Sequence, residues 1–153
     1  MKPFVSSFAI AASLLLGAGL PAVHARPSNP PSPIGIYGLR PGIFVAEGTD
    51  CGSPPNAAIK QYDGKGIATA HTHACEARVL SRRNTADGIV YDVSQTCIDG
   101  GEGPGKPFTE KHMVRVRDPE HVAITSDDAT VYRYCPIHTL PPDLRSAVRK
   151  TMP

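Results

Sequence analysis

Two neighbouring runs, Gly66 to Leu80 (GIATAHTHACEARVL) and Ile89 to Ile98 (IVYDVSQTCI), decide the fold of this chain. Both alternate apolar or β-branched residues with polar ones, the period-2 pattern of strands that turn one face inward. The polar segment between them, Arg82 to Gly88, ends in the turn dipeptide Asp87-Gly88, so the runs are expected to pair as an antiparallel hairpin. In the register where paired numbers sum to 172, Val79 faces Val93, Ala77 faces Gln95 and Cys75 faces Cys97. That register sets the two cysteines at a cross-strand Cβ spacing of about 4.5–5.5 Å, within reach of a disulfide. It favours Cys75–Cys97 and leaves Cys51–Cys135 to tie the start of the domain to its end. The competing pairing, Cys51–Cys75 with Cys97–Cys135, stays open at this point.

Working outward, turn signals recur at Asp63-Gly64, Asp99-Gly100-Gly101, Asp118-Pro119 and Ser126-Asp127-Asp128. They separate short alternating runs, and strands are expected over 43–47, 57–62, 66–80, 89–98, 108–117, 121–126 and 130–135. After residue 25 the chain holds 18 Val and Ile against 4 Leu, a bias toward pleated surfaces over helices. The expected fold is all-β, a small antiparallel meander closing into a barrel or a sandwich-like sheet. In the last expected strand Val131 and Cys135 share one face and Tyr132 and Tyr134 the other, which predicts burial on both sides near the closure. Beyond it, residues 139–153 read as a short amphipathic helix or tail. Leu144 and Val148 lie one turn apart, with Asp143 early and Arg149 and Lys150 late.

The N-terminal end reads differently. Residues 1–25 match a secretory signal peptide, with Lys2 as the charged start, Phe8 to Leu20 as the apolar stretch and Val23-His24-Ala25 as the cleavage site. The apolar run is shorter than the roughly 20 residues of a membrane span and is interrupted by Gly17 and Gly19. Cleavage after Ala25 predicts a secreted or periplasmic protein with no transmembrane anchor, in a compartment where cysteines pair. Residues 26–42 carry Pro27, Pro30, Pro31, Pro33 and Pro41 and are expected to be an extended lead-in to a β-domain over 43–138.

Composition narrows the function. The formal net charge of the 153 residues is only +2, which gives no bulk drive toward nucleic acid. No G-x-S-x-G elbow, H-E-x-x-H helix or Cys/His nucleophile pattern occurs, so the chain is expected to act by binding, as a non-enzymatic binding or inhibitor module. Gly100 and Gly105-Lys106 imitate a phosphate-binding loop, but Pro107 stands where a magnesium-holding hydroxyl belongs and the segment runs into a strand. A second reading is a metal-binding periplasmic protein. His71 and His73 alternate onto one face of the expected third strand, and His112 on another strand supplies a third imidazole for Zn or Cu. A third reading is a structural envelope protein. The binding reading rests on a basic stripe of Arg78, Arg82, Arg83, Lys111, Arg115, Arg117 and Arg133, which suits a protein or an anionic glycan or envelope partner.

Overall fold

The computed structural model describes residues 35–101, 103–125 and 130–151. The expected signal peptide, most of the proline-rich lead-in and the expected end of the sixth strand at residue 126 lie outside the described residues. Eight strands form one antiparallel sheet: β1 (Gly42–Ala46), β2 (Ile59–Tyr62), β3 (Ile67–Thr69), β4 (Thr72–Thr85), β5 (Gly88–Asp99), β6 (Pro107–Asp118), β7 (His121–Thr125) and β8 (Thr130–Cys135). They run in the order β3-β2-β1-β8-β7-β6-β5-β4, and the two outermost strands approach each other, so the sheet curls into a nearly closed barrel. An α-helix, α1 (Pro142–Thr151), follows the last strand. Both disulfides, Cys75–Cys97 and Cys51–Cys135, are formed, with Cα–Cα separations of 4.1 and 5.8 Å.

The central hairpin pairs as its sequence predicts through the middle: Val79 opposes Val93 and Ala77 opposes Gln95. At both ends of that stretch the register slips, once between His73 and Glu76 and once between Val79 and Ser81. Each slip inserts one extra residue into β4, a bulge that bends the strand and increases its twist. Ala74, in the first bulge, takes a left-handed φ of 48°. The expected third strand is therefore two strands. A turn at Ala70 and His71 breaks it, and β3 folds away to pair with β2. At its other end β4 runs on to Thr85 through what was expected to be a loop, and the connection shrinks to Ala86 and Asp87. Gly88 closes that turn at φ 120°, where a Cβ would strike the Val116 carbonyl oxygen.

Alternation sorts the side chains into two clusters. Tyr37, Leu39, Phe44, Tyr62, Tyr91, Val93, Val114, Val116, Val122 and Tyr132 fill the barrel. Ile43, Val45, Ile59, Leu140 and Val148 form a second cluster outside it with Cys51 and Cys135, where α1 lies against β1. β1 is thus covered on both faces, and β8 where Cys135 enters the second cluster; the closure expected beside the last strand lies elsewhere, since β8 sits mid-sheet between β1 and β7 and the sheet closes between β3 and β4. The lead-in is less detached than its prolines imply. Tyr37 and Leu39 are essentially fully buried and plug one end of the barrel, so the domain core begins before residue 43. Tyr37 N–H donates to Tyr62 Oη at 3.2 Å, and Tyr91 Oη donates to the Tyr37 carbonyl at 3.4 Å. Burial among these rings raises the phenol of Tyr37, and pushes that of Tyr62 up to about 12.

Closure at the β3–β4 seam uses few backbone bonds. Ala77 N–H donates to the Lys65 carbonyl at 3.0 Å. Gly66 permits the close approach, since a Cβ there would lie 2.5 Å from the Cys75 carbonyl oxygen. Gln95, 2% exposed, spans the gap from inside: its Oε1 accepts from Ile67 N–H at 2.8 Å and its Nε2 donates to the Ile67 carbonyl at 3.0 Å. A side-chain amide here replaces the neighbouring strand, satisfying backbone groups that would otherwise be buried unpaired.

Candidate cationic face

Val114 and Val116 point into the barrel, so the alternate residues of β6, Lys111, Arg115 and Arg117, lie on its outside. Register carries this face across the neighbouring strands. One cross-strand row reads Arg78–Ser94–Lys111, and another reads Arg83–Val90–Arg115–Ala123–Val131. Five of the seven residues of the expected stripe, Arg78, Arg83, Lys111, Arg115 and Arg117, therefore share the outer face of β4–β6. Arg82 falls on the opposite side, with its guanidinium 6.0 Å from the centroid of the Tyr91 ring.

The charges differ in how far they are spent. Arg83 binds Asp92 at 3.0 Å, and Arg117 lies 3.6 Å from Asp118 and 3.7 Å from Glu47. Arg78, Lys111 and Arg115 have no acidic partner among the described residues. Arg133 does not belong to this face. It sits on β8, and its guanidinium donates to the Thr49 carbonyl at 2.7 Å and to Cys51 Sγ at 3.2 Å. The Cys51–Cys135 bridge draws residues 49–51 over β8, and Arg133 ties down the carbonyl brought there.

Beside the face is a shallow cavity of about 250 Å³, lined by Asp87, Arg115, Arg117, His121, Ala123 and Val131. His121 Nδ1 lies 2.8 and 2.9 Å from the two oxygens of Asp118. Burial acts to raise the Asp118 carboxyl. The hydrogen bonds from His121 and from Glu120 N–H, with the charges of His121 and Arg117, outweigh it and hold the group below its ordinary value. Sequence reasoning missed this pair. The signal was local: Asp118-Pro119-Glu120-His121 is a tight turn that brings residues three apart into contact.

The three histidines expected to converge do not. His71 lies in the turn between β3 and β4, and His73 lies just before the first bulge; both are exposed. His73 pairs with Ile98 and His112 with Val93, five positions along β5, or about 17 Å at strand rise. Among the described residues, no group of three or more His, Cys, Asp or Glu side chains could hold a metal ion. The reason is the turn at Ala70–His71 together with the bulge at Ala74, which interrupt the alternation that placed the imidazoles on one face.

His112 instead faces the inside of the barrel, at the end opposite Tyr37, with its side chain 8% exposed. Its Nδ1 is buried with no hydrogen-bond partner among the described residues, and a carboxylate oxygen of Glu110 lies 3.7 Å away. Lys60 enters the same end from β2, its ammonium 5.3 Å from the centroid of the Tyr132 ring. Burial lowers both basic groups. Glu110 opposes that shift in each, and Lys60 adds to it for His112. The glycine-rich segment after β5 enters β6 directly, as expected, so no helix N-terminus stands there to receive a phosphate. Compared with known proteins, the chain matches no family model, no curated protein and no solved structure.

Proposed function

We propose that this chain is an exported, non-enzymatic binding module whose contact surface is the cationic outer face of β4–β6. One observation carries the reading. Arg78, Lys111 and Arg115 share one outer face, on two cross-strand rows separated by the row Ser81–Asp92–Met113, and have no acidic partner among the described residues. Unspent charges held on strands meet an anionic surface with little ordering cost, and they steer its approach. The two disulfides suit the oxidising compartment that the signal peptide implies, and they keep the face rigid without a large core.

The test is location, not charge alone. The variant Arg78→Glu, Lys111→Glu, Arg115→Glu is compared with Arg145→Glu, Arg149→Glu, Lys150→Glu on α1, which changes the net charge equally. Both are run over immobilised poly-glutamate and immobilised heparin in a salt gradient. The face variant should elute at clearly lower salt than the helix variant, and the matrix showing the larger difference separates an acidic protein partner from a glycan. Equal elution of the two variants on both matrices would refute the reading.

A further inference from the structure

The free edge of β4 borders the same face. β4 is 14 residues long and β3, the strand it approaches, is three. Ala77 N–H turns away from β5 to the Lys65 carbonyl, and past it no backbone bond among the described residues reaches the outer edge of β4. Alternation carries the outward direction on to Val79 and, after the second bulge, to Arg82 and Asn84. An edge from Arg78 to Thr85 is thus open, and it exposes apolar surface, with Val79 at 38% and Leu80 at 43%.

We infer that this edge accepts an extended acidic segment of a partner protein as a ninth strand. The inference rests on the binding reading above and deepens it by naming the partner's chemistry. Strand addition supplies affinity through main-chain bonds and selectivity through alternate side chains. On the outer side an added strand would meet Arg78 and Arg83; on the inner side it would meet Val79 and Arg82. A segment alternating acidic and apolar residues complements both sides. A second copy of this chain does not. Two β4 edges brought together would crowd the cluster Arg78, Arg82 and Arg83 of one copy against the same cluster of the other, and like charges on facing strands repel. The same cations that keep like edges apart select an acidic one.

The test uses the mature protein and a terminally blocked peptide of about eight residues alternating Glu and Val, with a Lys–Val peptide as control. Amide exchange is followed by NMR while affinity is measured by calorimetry. The acidic peptide should bind, the basic one should not, and the amides of Val79, Arg82 and Asn84 should slow. Arg82→Pro removes an outward N–H without removing a bond to β5, and should weaken binding about tenfold. Arg82→Glu, which keeps the N–H, should weaken it as well and decides the matter if the proline variant does not fold. The inference falls if these amides stay unprotected, or if the acidic peptide binds the variants as it binds the parent. In that event a persisting elution difference between the face and helix variants would leave the binding reading standing; loss of both would remove both.

Discussion

The two halves of this barrel solve different problems with the same kind of strand. β1, β2 and β8 are short, and β1 is buried on nearly every residue, with Phe44 inside the barrel and Ile43 and Val45 beneath α1. β4, β5 and β6 are long; β5 and β6 bury chiefly their inner face, β4 buries little beyond Cys75, and the arginines and lysines of β4 and β6 stand on the outside. A layer on both sides gives a strand its stability from packing. A strand with one bare face must draw stability from its ladder and its cross-links, and its other face is left free to meet something. The comparison teaches that the clamped half holds the molecule and the bare half presents it.

Three measurements would break or sharpen that contrast. The largest effect is expected at the disulfides. Cys51–Cys135 closes a separation of 84 residues and Cys75–Cys97 one of 22. On chain-entropy grounds, replacing the first pair by alanines should cost about 4–5 kcal/mol and the second about 3 kcal/mol, read from denaturant midpoints. A larger loss from the second pair would place the main clamp on the bare half. Next is packing. Leu140→Ala removes a side chain buried between α1 and the sheet and should cost about 2–5 kcal/mol, whereas Val79→Ala on the open edge should stay within about 0.5 kcal/mol. Similar losses would show that the edge is packed in solution.

The smallest effect concerns His112, at the thinly covered end of the bare half. Burial depresses its folded pKa below the ordinary 6.5. The unfolded chain therefore takes up the proton first as pH falls, and the stability this group confers above 6.5 is lost as pH drops through its folded value. Between about pH 7.5 and about pH 5 the melting temperature of the parent should fall relative to His112→Leu. Parallel curves would mean that His112 gains a partner on protonation, such as Glu110.

Much of this was legible in the residues. Period-2 alternation and the facing of Val79, Ala77 and Cys75 with Val93, Gln95 and Cys97 depend on neighbours in sequence and on one turn, so the hairpin, its bridge and the outward cations Arg78, Lys111, Arg115 and Arg117 could be read directly. The three histidines do not converge because their meeting needed the alternation to continue through His71 and His73. A turn and a bulge, set by where β3 must go to pair with β2, interrupted it.

Strand content, the register of the hairpin's middle, the preference for Cys75–Cys97 and the amphipathic tail were thus carried by local pattern, which is the scale at which side-chain direction is decided. Tertiary structure alone decided that Tyr37 and Leu39 plug the barrel, that Gln95 bridges its seam, that Arg133 binds the segment at Thr49 and Cys51 and that β4 ends as an open edge. Each depends on which distant segment arrives beside the residue, and no period in the chain encodes that encounter.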